Sequence, residues 1–243
     1  MSIASELSGT KPDSLSVLQG VKDCIPTLLG YVCIGFAAGI VGASSGVSTM
    51  EIGLMSALVY AGASQFIMCS MLAAASPPSV IILTTFIVNA RHLLLSASLA
   101  PYFSKYSLWK NIGIGILLTD ESFGVASDKL AKGGQVSDRW MNGLNITAYL
   151  AWIASCVAGG VLGNWISQPE AFGLDFALPA MFLALLISQL QSVQTSKLKH
   201  RLLLVLCMAV LMYLLSWWVP SHIAVIVATM ITATIGVLTD NEY

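Results

Sequence analysis

The chain has 243 residues, 56% of them hydrophobic and only 9% charged, with a mean hydropathy of +0.82 and a net charge of −1. Soluble domains carry roughly 25% charged residues, so this chain lacks the polar surface that water demands. The balance of 11 basic against 12 acidic residues excludes a basic face for nucleic acid and a polybasic lipid-binding run.

Charge positions divide the chain. Uncharged stretches cover 24–50, 52–90, 140–169, 176–196 and 202–239. A membrane helix needs about 20 apolar residues, so these stretches hold seven spans, two each in 52–90 and 202–239. The expected fold is an all-α polytopic membrane protein, one transmembrane domain over 1–243 with seven to eight membrane segments. Residues 1–23 are polar and lack the charged start and apolar core of a cleavable signal. Leu15, Leu18 and Val21, spaced by three beside Lys22 and Asp23, predict a short interfacial helix over 14–23.

The first span is expected over 25–45, where Gly35 and Gly39 stand four apart and permit close helix approach. Ser48-Thr49-Met50-Glu51 has the spacing of a capping box. Spans over 52–75 and 79–100 follow, divided by Pro77-Pro78. Later spans are expected near 141–166, 174–190, 202–219 and 221–238. The segment 111–127 differs, because Asp120 and Glu121 interrupt two short apolar pieces. Two carboxylates on a lipid-facing helix cost about 2.5–3.5 kcal/mol each, so this segment is either a shielded span or a broken, re-entrant one. Eight spans and seven spans both place eight basic residues inside and two outside, so the positive-inside rule does not choose. Residues 38–42 (AGIVG) resemble 159–163 (GGVLG) at an offset of 121, which suggests two repeat halves, about 25–127 and 141–238.

Ionisable and amide side chains at membrane depth are functional candidates. Asn89, Arg91 and His92 lie in the middle of the third span. Arg91 could hold a carboxylate or pair with Asp120 or Glu121, and His92 could relay protons. Gly62, Ser64 and Gln65 interrupt the second span with small and polar residues. A helix broken there would aim backbone groups into a cavity, whereas an unbroken one would use Gln65 for interhelical bonding. Asp120 and Glu121 could bind an ammonium or carry a proton. The five cysteines include no C-x-x-C pair, and no nucleotide-binding glycine motif occurs; no metal or cofactor is expected.

In order, Gly20…Pro26…Gly30…Gly35-Phe36, EIGLMS with VYAGASQF (51–66), NARH (89–92), SLAP (98–101) and LTDESF (118–123) resemble the AzlC-type large subunits of bacterial branched-chain amino acid exporters. The likeness covers most of the chain and is carried by residues 20–125. It implies a multi-pass protein of the bacterial cytoplasmic (inner) membrane that exports Leu, Ile, Val and sometimes Met with a small AzlD-type membrane subunit. Proton antiport is compatible with such export. Two rival readings are a membrane scaffold or channel subunit driven by a partner, and an intramembrane enzyme built on His92 with Asp120 or Glu121. The latter lacks a convincing nucleophile or metal set.

Overall fold

The structure, a computed structural model, describes residues 15–166, 195–219 and 221–239, and isolated positions between 173 and 190. The chain divides into two compact units, Met1–Phe182 and Leu183–Tyr243. The span expected over 174–190 falls mostly outside the described residues.

In the first unit, α1 (Val17–Ser44) begins at the Ser16 cap and runs unbroken through Pro26. The short helix expected over 14–23 to lead into the first span is continuous with it: residues 17–23 are α1's first turns. The reason is Asp23, whose carboxylate accepts from Gln19 Nε2 (2.7 Å), Lys129 Nζ (3.0 Å) and Trp140 Nε1 (2.8 Å). Its charge is held inside the protein, so nothing forces the chain to leave the helix. At about 1.5 Å per residue these 28 residues exceed the roughly 30 Å hydrocarbon core.

Parallel to α1 lies α8 (Asp138–Gly163). A Cβ on Gly39 would strike the Cys156 carbonyl, and one on Gly159 would strike that of Phe36, so the two backbones touch. Gly20 meets Trp140 and Gly143 meets Val17 in the same register. Residues 38–42 and 159–163 thus lie where these two helices meet, and backbone contact needs small residues on both faces.

Residues 52–75 do not form the single span expected. They fall into α2 (Thr49–Leu58) and α3 (Gly62–Ala73), reversed at Tyr60, whose φ is +44°, and extended Ala61. Contacts with α8 establish the reversal. Descending α2, Asn164 Nδ2 reaches Thr49 (3.5 Å), a Gly53 Cβ would meet Val157, and Tyr149 Oη donates to the Ala57 carbonyl (2.9 Å). Ascending α3, Trp152 Nε1 donates to Gln65 Oε1 (2.7 Å), and Cys69 returns beside Gly42. The pair is a re-entrant hairpin. Its α2 start carries the expected capping box between Ser48 and Glu51.

The crossing back is made by α4 (Pro78–Asn89) and α5 (Arg91–Phe103), joined at Ala90 as one 26-residue apolar segment. Then α6 (Leu108–Ile116) and α7 (Asp120–Ala131) form a second hairpin from the other end. Lys110 pairs with Asp138 (2.5 Å) and Asn145 Nδ2 donates to the Ile114 carbonyl (3.1 Å), so α6 climbs beside α8. Thr119 meets Tyr31 (2.5 Å) while Lys129 meets Asp23 (3.0 Å), so α7 descends beside α1. The segment 111–127 is therefore broken and re-entrant.

Among the described residues, this unit has three crossings and two half-depth hairpins inserted from opposite ends. Lys22, Lys105, Lys110, Lys129, Lys132 and Arg139 all sit at the end where α1 begins, and no Lys or Arg occurs among the described residues at the other. The buried core includes Cys24, Ile52, Trp140, Met141, Leu144 and Cys156. In the second unit, α9 (Thr195–Leu215) and α10 (Ser221–Thr239) are antiparallel: His200 lies against Thr239 and Met208 against Thr232. Among the described residues, four segments are long and apolar enough to span: Val17–Ser44, Pro78–Phe103, Asp138–Gly163 and Lys197–Leu215.

Candidate functional site

Both hairpin tips end at the depth of Tyr31, halfway along α1. Each tip places a helix C-terminus and a helix N-terminus inside the membrane region, where the unpaired carbonyls and amides carry partial charge. The two tips resolve this differently. At α7, Thr119 accepts from the Ser122 amide and Ser122 Oγ accepts from the Thr119 amide, a closed capping box. At α3, the cap residue Ala61 contributes no side-chain hydrogen bond. The first turn of α3 therefore presents uncapped amides at mid-depth.

Around the tips the structure gathers most of the residues expected from the sequence. Arg91, first residue of α5, pairs with Asp120, first residue of α7, at 2.8 Å; their side chains are 27% and 11% exposed. Ser64 Oγ donates to Asn89 Oδ1 at 2.7 Å, tying α3 to the end of α4. Gly62 opens α3. Glu121 accepts from Tyr31 Oη at 3.2 Å, and among the described residues its carboxylate makes no salt bridge. The Thr119 hydroxyl donates to Tyr31 as Tyr31 donates to Glu121, a chain of hydroxyls leading to one carboxylate.

Two expected residues stand differently. Gln65 is 2% exposed, and both ends of its amide are engaged, Nε2 to Ser56 Oγ (3.0 Å) and Oε1 to Trp152. That is the packing role of an interhelical glutamine. His92 is half-buried beside Arg91 and makes no hydrogen bond among the described residues.

Three site residues escape a reading from sequence. Tyr31, Tyr60 and Trp152 look like ordinary membrane aromatics. One signal was available: aromatic belts mark span ends, whereas Tyr31 and Tyr60 lie well inside the uncharged stretches 24–50 and 52–90. Tyr31 and Trp152 stack edge to face with centroids 5.9 Å apart, and Tyr60 and Tyr149 at 4.9 Å. The arrangement is a mid-depth polar centre in which one cation and two carboxylates are enclosed by small residues and aromatic hydroxyls. It has groups for both charges of a zwitterion, and no cluster of His, Cys, Asp or Glu among the described residues is suited to a metal ion.

Comparison with known proteins reaches the same region. Residues 26–166, which contain all the elements of this centre, match the family described as AzlC protein. The chain is 33% identical over 195 residues to inner membrane protein YgaZ of Escherichia coli, covering 76% of this chain and 77% of that protein. It is 29% identical over 168 residues to the branched-chain amino acid transport protein AzlC of Bacillus subtilis, covering 68% of this chain and 64% of that one. An uncharacterized membrane protein of Archaeoglobus fulgidus is 28% identical over 182 residues, 71% of this chain and 75% of that protein. No solved structure matches the chain.

Proposed function

The chain belongs to the AzlC family of membrane proteins, and on that premise we propose that it is a secondary transporter exporting the branched-chain amino acids Leu, Ile and Val, with Met as a secondary substrate, across the bacterial inner membrane. The observation that carries the reading is the meeting of two opposed hairpins on one buried charged centre. Such a centre is screened from both ends by half-depth helices, which is what alternating access to a fixed midplane site requires. The name carried by the Bacillus subtilis relative supports the substrate class. Export, and action as the large subunit beside a small AzlD-type partner, rest on the resemblance of the motifs described above.

In this reading the substrate carboxylate docks on the uncapped first turn of α3, at Gly62 and Ser64, with the Asn89 amide alongside. Arg91 supplies positive charge and Asp120 fixes its geometry, since a guanidinium paired at 2.8 Å is oriented rather than free to roam. Glu121 receives the ammonium, and when the site is empty it carries a coupling proton, with His92 as relay. Side chains are sorted by apolar surface, where one methylene is worth about 1–3 kcal/mol; a spectrum of aliphatic substrates follows. The lysine-bearing end of the first unit faces the cytoplasm, following the positive-inside rule. The face of α4–α5 bearing Ile82, Phe86 and Leu93, exposed in this chain, gives lipid and the small subunit a surface to cover.

The test is efflux of preloaded labelled leucine from cells expressing the chain, with and without the neighbouring small subunit, at matched membrane abundance. The expected result is efflux that needs both chains and is lost in Glu121→Gln. Efflux undiminished in that variant removes Glu121 from the pathway, and no efflux of any aliphatic amino acid removes the function itself.

A further inference from the structure

We infer that the Tyr60 hydroxyl is a ligand-reading group, placed to accept a hydrogen bond from a primary ammonium seated on Glu121. The inference rests on the zwitterion site proposed above and adds to it a specificity-determining residue. It starts from the backbone. Tyr60 stands at the tip of the α2–α3 hairpin with φ +44°, in the left-handed region that bulky residues adopt only when their surroundings fix them there. The surroundings do so: its ring packs edge to face on Tyr149 at 4.9 Å and 85°, and the Tyr149 hydroxyl holds the Ala57 carbonyl just before the tip at 2.9 Å.

The strained tip carries a hydroxyl whose oxygen meets no donor. Tyr60 is 7% exposed, and its oxygen has no hydrogen-bond partner among the described residues. Its neighbours are the Tyr31 hydroxyl, toward which its own O–H can be directed, and the Glu121 carboxylate; neither brings a free donor to its oxygen. The Tyr31 hydroxyl is already engaged with Thr119 and Glu121. Buried tyrosine hydroxyls are normally satisfied, and leaving one unmet costs stability. A rigid, buried, unmet acceptor beside a carboxylate is complementary to a group that only donates. An ammonium has three donors and no acceptor, whereas a carboxylate there would meet the like charge of Glu121. Two residues on, Gly62 opens the uncapped turn proposed for the carboxylate.

The experiment uses the full chain in lipid nanodiscs, wild type and Tyr60→Phe, with binding of labelled leucine and of its deaminated analogue 4-methylpentanoate, and melting with and without ligand. The wild type should bind leucine at least tenfold more tightly than the analogue. Tyr60→Phe should lose about tenfold or more for leucine, the usual weight of a hydrogen bond to a charged group, with little change for the analogue. Its ligand-free melting temperature should change little, because the deleted hydroxyl makes no hydrogen bond of normal geometry. Unchanged leucine affinity in Tyr60→Phe overturns the inference and leaves the zwitterion site standing. So does a lower ligand-free melting temperature with both ligands weakened alike, which would make the hydroxyl structural. A wild type that binds neither compound overturns the proposed function and this inference together.

Discussion

The two hairpins have the same outline and are held by different forces. The α2–α3 hairpin is seated by packing: Ile52 is 2% exposed, wedged beside Gly42 and Gly160, and buried Gln65 bridges Ser56 and Trp152 behind it. The α6–α7 hairpin also buries Ile114, Leu118 and Ala126, but polar side chains make up more of its hold: Lys110 on Asp138, Lys129 on Asp23 and Thr119 on Tyr31. Beside it, between α5 and α6, lies a cavity of about 280 Å³ lined by Ser96, Leu99, Phe103, Ile114 and Leu118 among others. Packed interfaces are lost steeply when separated, whereas polar contacts exchange for water at modest net cost. With more of its hold in polar contacts, α6–α7 at the lysine-bearing end is expected to loosen before α2–α3.

The largest effect expected is from Gly159→Leu, which inserts a side chain where α8 already touches the Phe36 carbonyl. No folded protein should survive detergent extraction and size exclusion. Next is Ile52→Ala, which should destabilise the packed hairpin by about 2–4 kcal/mol through cavity formation, measured by thermal unfolding. Arg91→Ala leaves Asp120 without its cation. Removing one partner of a fully buried pair costs about 3–5 kcal/mol, and partial exposure of this one lowers the expectation to roughly 2–3 kcal/mol. Transport should be lost beyond that stability effect, and the double variant Arg91→Ala/Asp120→Ala should recover stability without recovering transport. A smaller stability change, roughly 1–2 kcal/mol, is expected for Lys129→Met, because Gln19 and Trp140 still hold Asp23 when the lysine is gone. That variant should nonetheless raise thiol labelling of a cysteine placed at Leu118 from the lysine-bearing side, because it loosens the polar-held hairpin. Equal labelling would erase the distinction between the hairpins.

The same contrast explains what was legible in the sequence. The break in 111–127 is readable because Asp120 and Glu121 cannot face lipid, and their pairing with Arg91 follows from the cost of an unpaired charge at depth. Gly62, Ser64 and Gln65 mark where a helix in 52–75 could break, but hydropathy does not show that the chain turns back there. Both helices of that hairpin are apolar, and the turn is made by Tyr60-Ala61 rather than by the glycine or proline that ordinarily marks one. That hidden turn is also why the count of basic residues could not choose a topology: with 52–75 read as a crossing, every later loop changes sides. Once both hairpins return to their own ends, six basic residues of the first unit gather at one end and none at the other. Gln65 looked like a site residue because amides at depth are rare, but its bonds to Ser56 and Trp152 depend on the reversal. Tyr60 was invisible for the same reason: an aromatic on an unbroken helix has no cause to hold an unmet hydroxyl.

Sidedness of the hairpin ends tests the central claim most directly. Single cysteines at Ser44, Ala74, Ser104 and Lys132, in a variant lacking the native cysteines, would be labelled in intact cells and inverted vesicles with a membrane-impermeant maleimide. Opposed hairpins predict that positions 44 and 74 label from the outer side and 104 and 132 from the cytoplasmic side. Labelling of 44 and 74 from opposite sides would make residues 49–73 a true crossing and contradict the shared mid-depth site.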